Sequence, residues 1–338
     1  MSFRTPLLWG LALSLLVPIG SAAYDGGAAI ATGAPLRPAS PPALRTISLT
    51  RAPTPATLTT ILNPSGFDQL GSDLNAIAGQ SGGQVRISLQ ELSGPGRHAL
   101  ALYGSQGFYA ASEYKLPLLM ATAQQVATGQ TSSRDSLCYD PADGEDGWFT
   151  DYEPGSCFSR SELAMRAGRF SDNTAARILV RYLGGPDALN TYARASGMTN
   201  STLWDPNTTT AGDLTALWVS EATGQLGGRA AQQWLYPFLT HTTAESGIPA
   251  GLPSTAVVIH KTGNMYGTQA DAALVRNGRV EYVLTVCVAG LDEATAWGII
   301  QHVSARVWQY EAGRPDYPPA PIVAPPAPKL PDRRHQVR

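Results

Sequence analysis

The spacing of apolar positions changes along the chain, and each change predicts an element. Phe67, Leu70, Leu74 and Ile77 recur every three to four residues, which predicts a helix over Phe67–Ala78. Val85-Arg86-Ile87-Ser88-Leu89-Gln90 alternates with the period of a strand; Ser93-Gly94-Pro95-Gly96 turns, and His98–Tyr103 returns. A helix-forming apolar run, Leu116-Pro117-Leu118-Leu119-Met120, follows. Ser159 with Glu162 predicts a capping box before a helix to about Arg169, and Thr174–Leu183 continues as helix. Gly184-Gly185-Pro186 starts another helix, which Gly197 ends, and Thr210 with Asp213 caps one over Leu214–Val219. Ala256–His260 is an apolar strand, Gln269–Arg276 and Arg279–Val288 flank the hairpin signal Asn277-Gly278, and Asp292 opens a last helix carrying Ala296, Ile299, Ile300, Val303 and Val307. Two strands, a block of helices, three strands and a helix make an α+β fold, one antiparallel sheet with helices packed around it.

The two ends follow no such pattern. Residues 1–23 read as an export signal, with Arg4 in the n-region, an apolar run from Leu7 to Ile19 and the small residues Ser21-Ala22-Ala23 at the cleavage site. The run is too short to span a bilayer comfortably, and no cysteine follows it for lipidation. Residues 24–66 carry seven prolines between Pro35 and Pro64 among Ala, Thr and Ser, a composition that buries no core and reads as a semi-extended linker. Residues 314–338 form a proline-rich tail ending in Arg333, Arg334, His335 and Arg338. One folded unit is therefore expected over 67–313, working outside the cytoplasm, either periplasmic or secreted.

Charged residues make up 15% of the 338 and the net charge is −2, which gives no field for nucleic acid. Neither Cys nor His has metal-ligand spacing, and no glycine-rich phosphate loop is present, so neither metal nor cofactor is expected. Cys138 and Cys157 lie in a polar stretch where an oxidising compartment favours a disulfide, while Cys287 sits in an apolar strand as a buried small hydrophobe.

Chemistry enters at Ser112-Glu113-Tyr114-Lys115. Ser112 and Lys115 are three apart and share one helix face, near a first turn whose free N–H groups favour developing negative charge. Pro117 supports a helix start close to Ser112, because proline is tolerated only early in a helix. A serine hydroxyl is a weak nucleophile until a base removes its proton, and a desolvated amine one turn away can do so. The pair becomes specific only with two later triplets, Ser171-Asp172-Asn173 in a kink between helical stretches and Lys261-Thr262-Gly263 at the end of the Ala256–His260 strand.

Ser-x-x-Lys, Ser-Asp-Asn and Lys-Thr-Gly in this order resemble the motif set of the class A β-lactamase-like, penicillin-recognising serine hydrolases. The resemblance extends from about Phe67 to Gly313 and includes Ser171–Ala176, Gly184-Gly185-Pro186, Thr208-Thr209-Thr210 and Pro249–Pro253. It implies a β-lactamase/transpeptidase-like architecture, a five-stranded antiparallel sheet flanked by helices with an all-helical lobe, working as a monomer without metal or cofactor. It also implies roles. Ser112 is the nucleophile and Lys115 its base, with Lys261 supplying the positive charge that favours a neutral Lys115. Ser171 relays a proton to the leaving nitrogen, and Asn173 holds the acyl side-chain amide and touches Lys115. Lys261 and Thr262 bind the substrate carboxylate, Gly263 allows close approach, and the N–H groups of Ser112 and Asn264 form the oxyanion hole.

The chain departs from the family in one place. The family's loop after Gly-Gly-Pro carries a glutamate that activates the deacylating water, whereas Gly184–Thr208 here contains none, and Asp205 and Asp187 are its only carboxylates. Three readings follow: a slowly deacylating acyl-enzyme hydrolase acting on β-lactams or D-Ala-D-Ala-type cell-wall peptides; an efficient β-lactamase using a substitute base such as Asp205; and a non-catalytic wall-binding scaffold. The intact triplets argue against the third, the absent glutamate against the second.

Overall fold

The structure, a computed structural model, describes residues 66–94 and 96–314. The expected export signal, the linker as far as residue 65, Pro95 of the first turn and the tail from 315 lie outside the described residues. In chain order the elements are α1 (Phe67–Gln80), β1 (Gln84–Glu91), β2 (Ala99–Leu102), β3 (Gly107–Tyr109), a 3₁₀ turn (Ala111–Tyr114) running into α2 (Lys115–Ala127), β4 (Ser136–Cys138) and β5 (Cys157–Ser159). Then come α3 (Arg160–Arg169), α4 (Asn173–Leu183), α5 (Pro186–Ala195), β6 (Thr208–Thr210), α6 (Ala211–Ala222), α7 (Gly228–Leu235), β7 (Val257–Met265), β8 (Thr268–Asn277), β9 (Val280–Ala289) and α8 (Glu293–Gly313).

Side chains stop and start these helices as the sequence suggests. Ser159, Asp172, Thr210 and Asp292 each accept a backbone N–H from the first turn of α3, α4, α6 and α8. Gly184 closes α4 with φ 112°, a left-handed cap that an L side chain adopts only with strain.

Five strands form one antiparallel sheet in the order β2-β1-β9-β8-β7. Period-two alternation divides its side chains between two cores. On one face Ala273, Val275, Tyr282, Leu284 and Val286 pack with Leu70 and Leu74 of α1 and with Ile300, Val303 and Val307 of α8. On the other, Ala270, Ala272, Leu274, Val283 and Cys287 join the helical lobe through Leu119, Met120, Leu217 and Trp218. The Trp218 indole N–H donates to the Ala272 carbonyl at 3.0 Å, pinning α6 to the sheet.

Three local expectations change. The strand expected to end at His260 continues to Met265, so Lys261-Thr262-Gly263 lies inside β7, paired with Ala270–Ala272 of β8. Asn277 pairs with Val280, so Gly278 and Arg279 make the hairpin turn, one residue later than the Asn-Gly signal suggests. Two short ribbons had no visible period in three residues: β3 with β6, and β4 with β5, whose Cys138 and Cys157 are joined by a disulfide. Cys287 is free and buried.

Candidate active site

The 3₁₀ turn carrying Ser112 runs alongside β7, one of the two edge strands of the sheet, on the side of the helical lobe. Ser112 therefore sits on a 3₁₀ turn, one turn before the α-helix in which Lys115 is the first residue. Ala111, the residue before Ser112, takes φ 47°, a sparsely populated backbone for alanine. Asn207 holds that turn from outside: its side-chain amide donates to the Ala111 carbonyl at 2.9 Å, and its own carbonyl accepts the Ala110 N–H at 2.9 Å. Gly263 makes the approach of β7 possible, because a Cβ there would stand 2.7 Å from the Ala110 carbonyl oxygen and 3.1 Å from Glu113 Cγ. The glycine thus serves the chain's own packing as well as the ligand access the motif suggests.

Lys115 is 0% exposed. Its Nζ lies 2.6 Å from the Ser171 carbonyl oxygen, 2.6 Å from Asn173 Oδ1, 3.0 Å from Ser112 Oγ and 3.2 Å from Ser171 Oγ. The carbonyl and the amide oxygen can only accept. A neutral amine has two N–H groups and one lone pair, so giving both hydrogens to these obligate acceptors leaves the lone pair facing the serine hydroxyls. Burial holds Lys115 well below the ordinary lysine range, and the Lys261 charge pushes in the same direction, against the opposing pull of Asp172 and Glu145. The arrangement fits an unprotonated base next to Ser112 Oγ.

The Ser171-Asp172-Asn173 bend supplies two of these partners. Ser171 takes φ 55°, which turns both its carbonyl and its hydroxyl toward Lys115. Asp172 is buried, caps α4 through the Ala175 N–H at 2.8 Å, and accepts the Tyr152 hydroxyl at 2.8 Å and the Trp148 N–H at 3.2 Å. It thereby fastens the loop bearing Glu145 and Asp146 to the site. Glu145, paired with Arg177, is a carboxylate near Lys115 that no motif pointed to.

Across the cleft, Lys261 is buried and donates to the Thr262 carbonyl at 2.7 Å. Burial pulls its amine down while Glu113 and Asp271 hold it up, leaving it at about 8. Thr262, the next residue, is also largely buried. The Asn264 side chain is bonded to Glu293 at 2.7 Å and to Gln269 at 3.0 Å, so its backbone N–H is what the oxyanion assignment concerns.

Ser112, Lys115, Ser171 and Asn173 thus meet at one amine, and Lys261, Thr262 and Gly263 follow one another on the strand that packs against the Ser112 turn. Asp205 is brought to none of these groups. It is exposed, with no hydrogen bond or ion pair among the described residues. Sequence reasoning overlooked Glu113, although it stands directly after Ser112. Its side chain is 0% exposed, and both carboxyl oxygens lack a hydrogen-bond partner among the described residues. No group of His, Cys, Asp and Glu that could hold a metal occurs among the described residues.

Residues 69–311 match the model of the beta-lactamase enzyme family. Beta-lactamase CTX-M-8 of Citrobacter amalonaticus is 30% identical over 239 residues, covering 62% of this chain and 78% of that protein. Beta-lactamase Toho-2 of Escherichia coli is 30% identical over 240 residues, with the same coverage of 62% and 78%. Among solved structures, PBP-A superposes with a TM-score of 0.67 at 25% identity over 73% of this chain and 96% of its own. An ancestral class A β-lactamase gives 0.66 at 28% identity over 71% and 98%. The chain belongs to the beta-lactamase enzyme family and has the fold of class A β-lactamase-like serine hydrolases.

Proposed function

We propose that this family member is an exported serine hydrolase that forms an acyl-enzyme at Ser112 with β-lactams or D-Ala-D-Ala-type peptides and deacylates it slowly. The observation that carries the reading is the Lys115 amine, dry, held by two obligate acceptors and 3.0 Å from Ser112 Oγ. In acylation the Ser112 O–H proton passes to the Lys115 lone pair as Oγ bonds to the substrate carbonyl carbon. The oxyanion is met by the N–H groups of Ser112 and Asn264, and Lys261 with Thr262 anchors the substrate carboxylate. As the C–N bond breaks, Ser171 gives its hydroxyl proton to the leaving nitrogen and takes the proton that came from Ser112 back from Lys115, 3.2 Å away.

Slow deacylation rests on what lines the loop. Its residue in contact with the nucleophile's turn is Asn207, an amide, which cannot take a proton from water, and its one carboxylate near that contact, Asp205, faces solvent. A variant of PBP-A described as an acyl-enzyme complex with penicillin-G, 26% identical to this chain, is a related fold holding such an adduct. Export is supported by the Cys138–Cys157 disulfide, which suits an oxidising compartment. The names of CTX-M-8 and Toho-2 favour a second reading, efficient β-lactam hydrolysis.

Intact-mass spectrometry after mixing with benzylpenicillin, followed over time, separates these. The proposal expects one penicillin mass per chain, persisting long after mixing and absent in Ser112→Ala. Complete hydrolysis with no accumulated adduct supports the second reading. No adduct and no hydrolysis across penicillins, cephalosporins and a D-Ala-D-Ala peptide overturns both.

A further inference from the structure

A carboxyl group with no hydrogen-bond partner, sealed from water against the strand beside the Ser112 turn, is an expensive thing to bury. Glu113 is such a group. Its Cγ lies against β7 at Gly263. Lys261, two residues before Gly263, projects from the same face of that strand. The Lys261 amine is equally under-bonded: it is 2% exposed and donates only to the Thr262 carbonyl among the described residues, although an ammonium has three hydrogens to place. Two buried groups that carry opposite charges when both are ionised thus face one space with no hydrogen bond joining them.

We propose that Glu113 is the internal counter-ion of Lys261, and that a ligand carboxylate takes over this role when it binds, with Glu113 taking up one proton from solvent. This rests on the reading of Lys261 as the substrate's carboxylate anchor. In the empty site the ionised Glu113 balances the Lys261 charge through space. A bound carboxylate brings a second anion to the same ammonium, and two buried anions beside one cation do not both stay charged. The side chain that yields is the one without hydrogen bonds. Glu113 gains O–H, Lys261 keeps its charge, and the net charge of the buried pair plus ligand stays at zero.

The other groups around Glu113 do not perform this exchange. From β7, His260 is tied to Asp271 at 2.9 Å and to Glu245 at 3.2 Å; burial works against its charge, yet the two carboxylates hold it up at about 9. From β8, Asp271 also accepts the Ile248 N–H at 2.8 Å and is fully bonded. From β9, burial pushes the Cys287 thiol up to about 12, so it stays neutral, with Arg86 of β1 acting on it. Burial likewise raises Glu113 well above the ordinary carboxylate range while Lys261 opposes, which leaves it poised to accept a proton.

The test uses Ser112→Ala, which binds without acylation, titrated with benzylpenicillin by calorimetry in buffers of different ionisation enthalpy. Binding should take up a measurable fraction of one proton, and Kd should rise with pH by up to about tenfold per unit, the linkage limit for one proton. In Ser112→Ala with Glu113→Gln, titrated at pH values below the Lys261 midpoint of that variant so that Lys261 is charged before binding, both effects should vanish. Equal proton uptake in the two proteins overturns the proposal. A ligand-free measurement separates this from the substrate reading: the Lys261 NMR titration, assigned with Lys261→Met, should move to lower pH in Glu113→Gln, and an unmoved midpoint overturns the counter-ion role. A moved midpoint with no penicillin binding overturns the substrate reading alone. Should Glu113→Gln fail to fold, the NMR signal of the Glu113 carboxyl carbon in Ser112→Ala must shift to its protonated position on adding penicillin, and a fixed signal overturns the proposal.

Discussion

Lys115 is fully buried with four oxygens within reach of its amine, whereas Asp205, on the loop to which the family resemblance gives deacylation, is exposed and makes no hydrogen bond or ion pair among the described residues. The first environment changes what a side chain is. Burial, with the Lys261 charge behind it, favours the neutral amine over the ammonium, and the two obligate acceptors can take its two hydrogens so that the lone pair faces the serine hydroxyls. The second leaves a carboxylate facing solvent, with nothing to aim it. On the proposed reading, the difference teaches that the half-reactions need not be equally developed on one fold: acyl transfer to Ser112 would have a preorganised base, while among the described residues this loop offers acyl transfer to water no carboxylate of comparable construction.

The largest expected effect breaks the first side of the comparison. Lys115→Met keeps the bulk of the side chain and removes the lone pair, so acylation by benzylpenicillin should slow by about a thousandfold, within the range a positioned general base supplies. Stopped-flow or intact-mass acylation rates check it, with circular dichroism as the folding control. Acylation within about tenfold of wild type would mean that another group takes the Ser112 proton.

Lys261→Met should have a smaller effect with a distinctive pH signature. Loss of a charge-assisted contact to the substrate carboxylate costs roughly 1.5–3 kcal/mol, about ten- to a hundredfold in acylation. The wild-type rate should rise with pH as Lys115, held well below the ordinary lysine range, loses its proton, and fall as pH passes through about 8, where Lys261 loses its charge. In Lys261→Met the alkaline fall should disappear. The acid limb should move to higher pH, since the positive neighbour that disfavours a charged Lys115 is gone. An unchanged acid limb would show that burial alone, the larger cause, sets Lys115.

Both sides of the comparison differ in how far they could be read from the chain. Ser112, Lys115, Ser171, Asn173, Lys261 and Thr262 lie in three short motifs, and the strong periodicity of α1, β1, β8, β9 and α8 gives the sheet and its covering helices. What escaped depends on packing across the fold. The positive φ of Ala111 and Ser171 is imposed by tertiary contacts and has no glycine to announce it. The ribbons β3–β6 and β4–β5 are three-residue strands, too short for a period to declare itself. Glu113 reads as a solvated helix residue by composition. Only the approach of β7 at Gly263 seals it from water and makes it part of the site.

The smallest expected effect sharpens the second side. If Asp205 were the deacylating base, Asp205→Asn would cost about a hundred- to ten-thousandfold in turnover, the range for a general base. Its exposure predicts instead a steady-state rate within about twofold of wild type, with the burst of one product per enzyme and the slow phase after it both retained. The side chain could reach the site only if the loop moved, and that loop is fastened close by: Asn207 bonds to Ala110 and Ala111, and Trp204, next to Asp205, packs edge-on to Tyr114 with Arg177 over its ring. Measuring the slow phase in both proteins with the same penicillin decides the matter. A collapse of that phase in Asp205→Asn, with the burst intact, would show that the exposed carboxylate turns inward once Ser112 is acylated. The contrast between a finished acylation site and an unfinished deacylation site would then hold only for the empty enzyme.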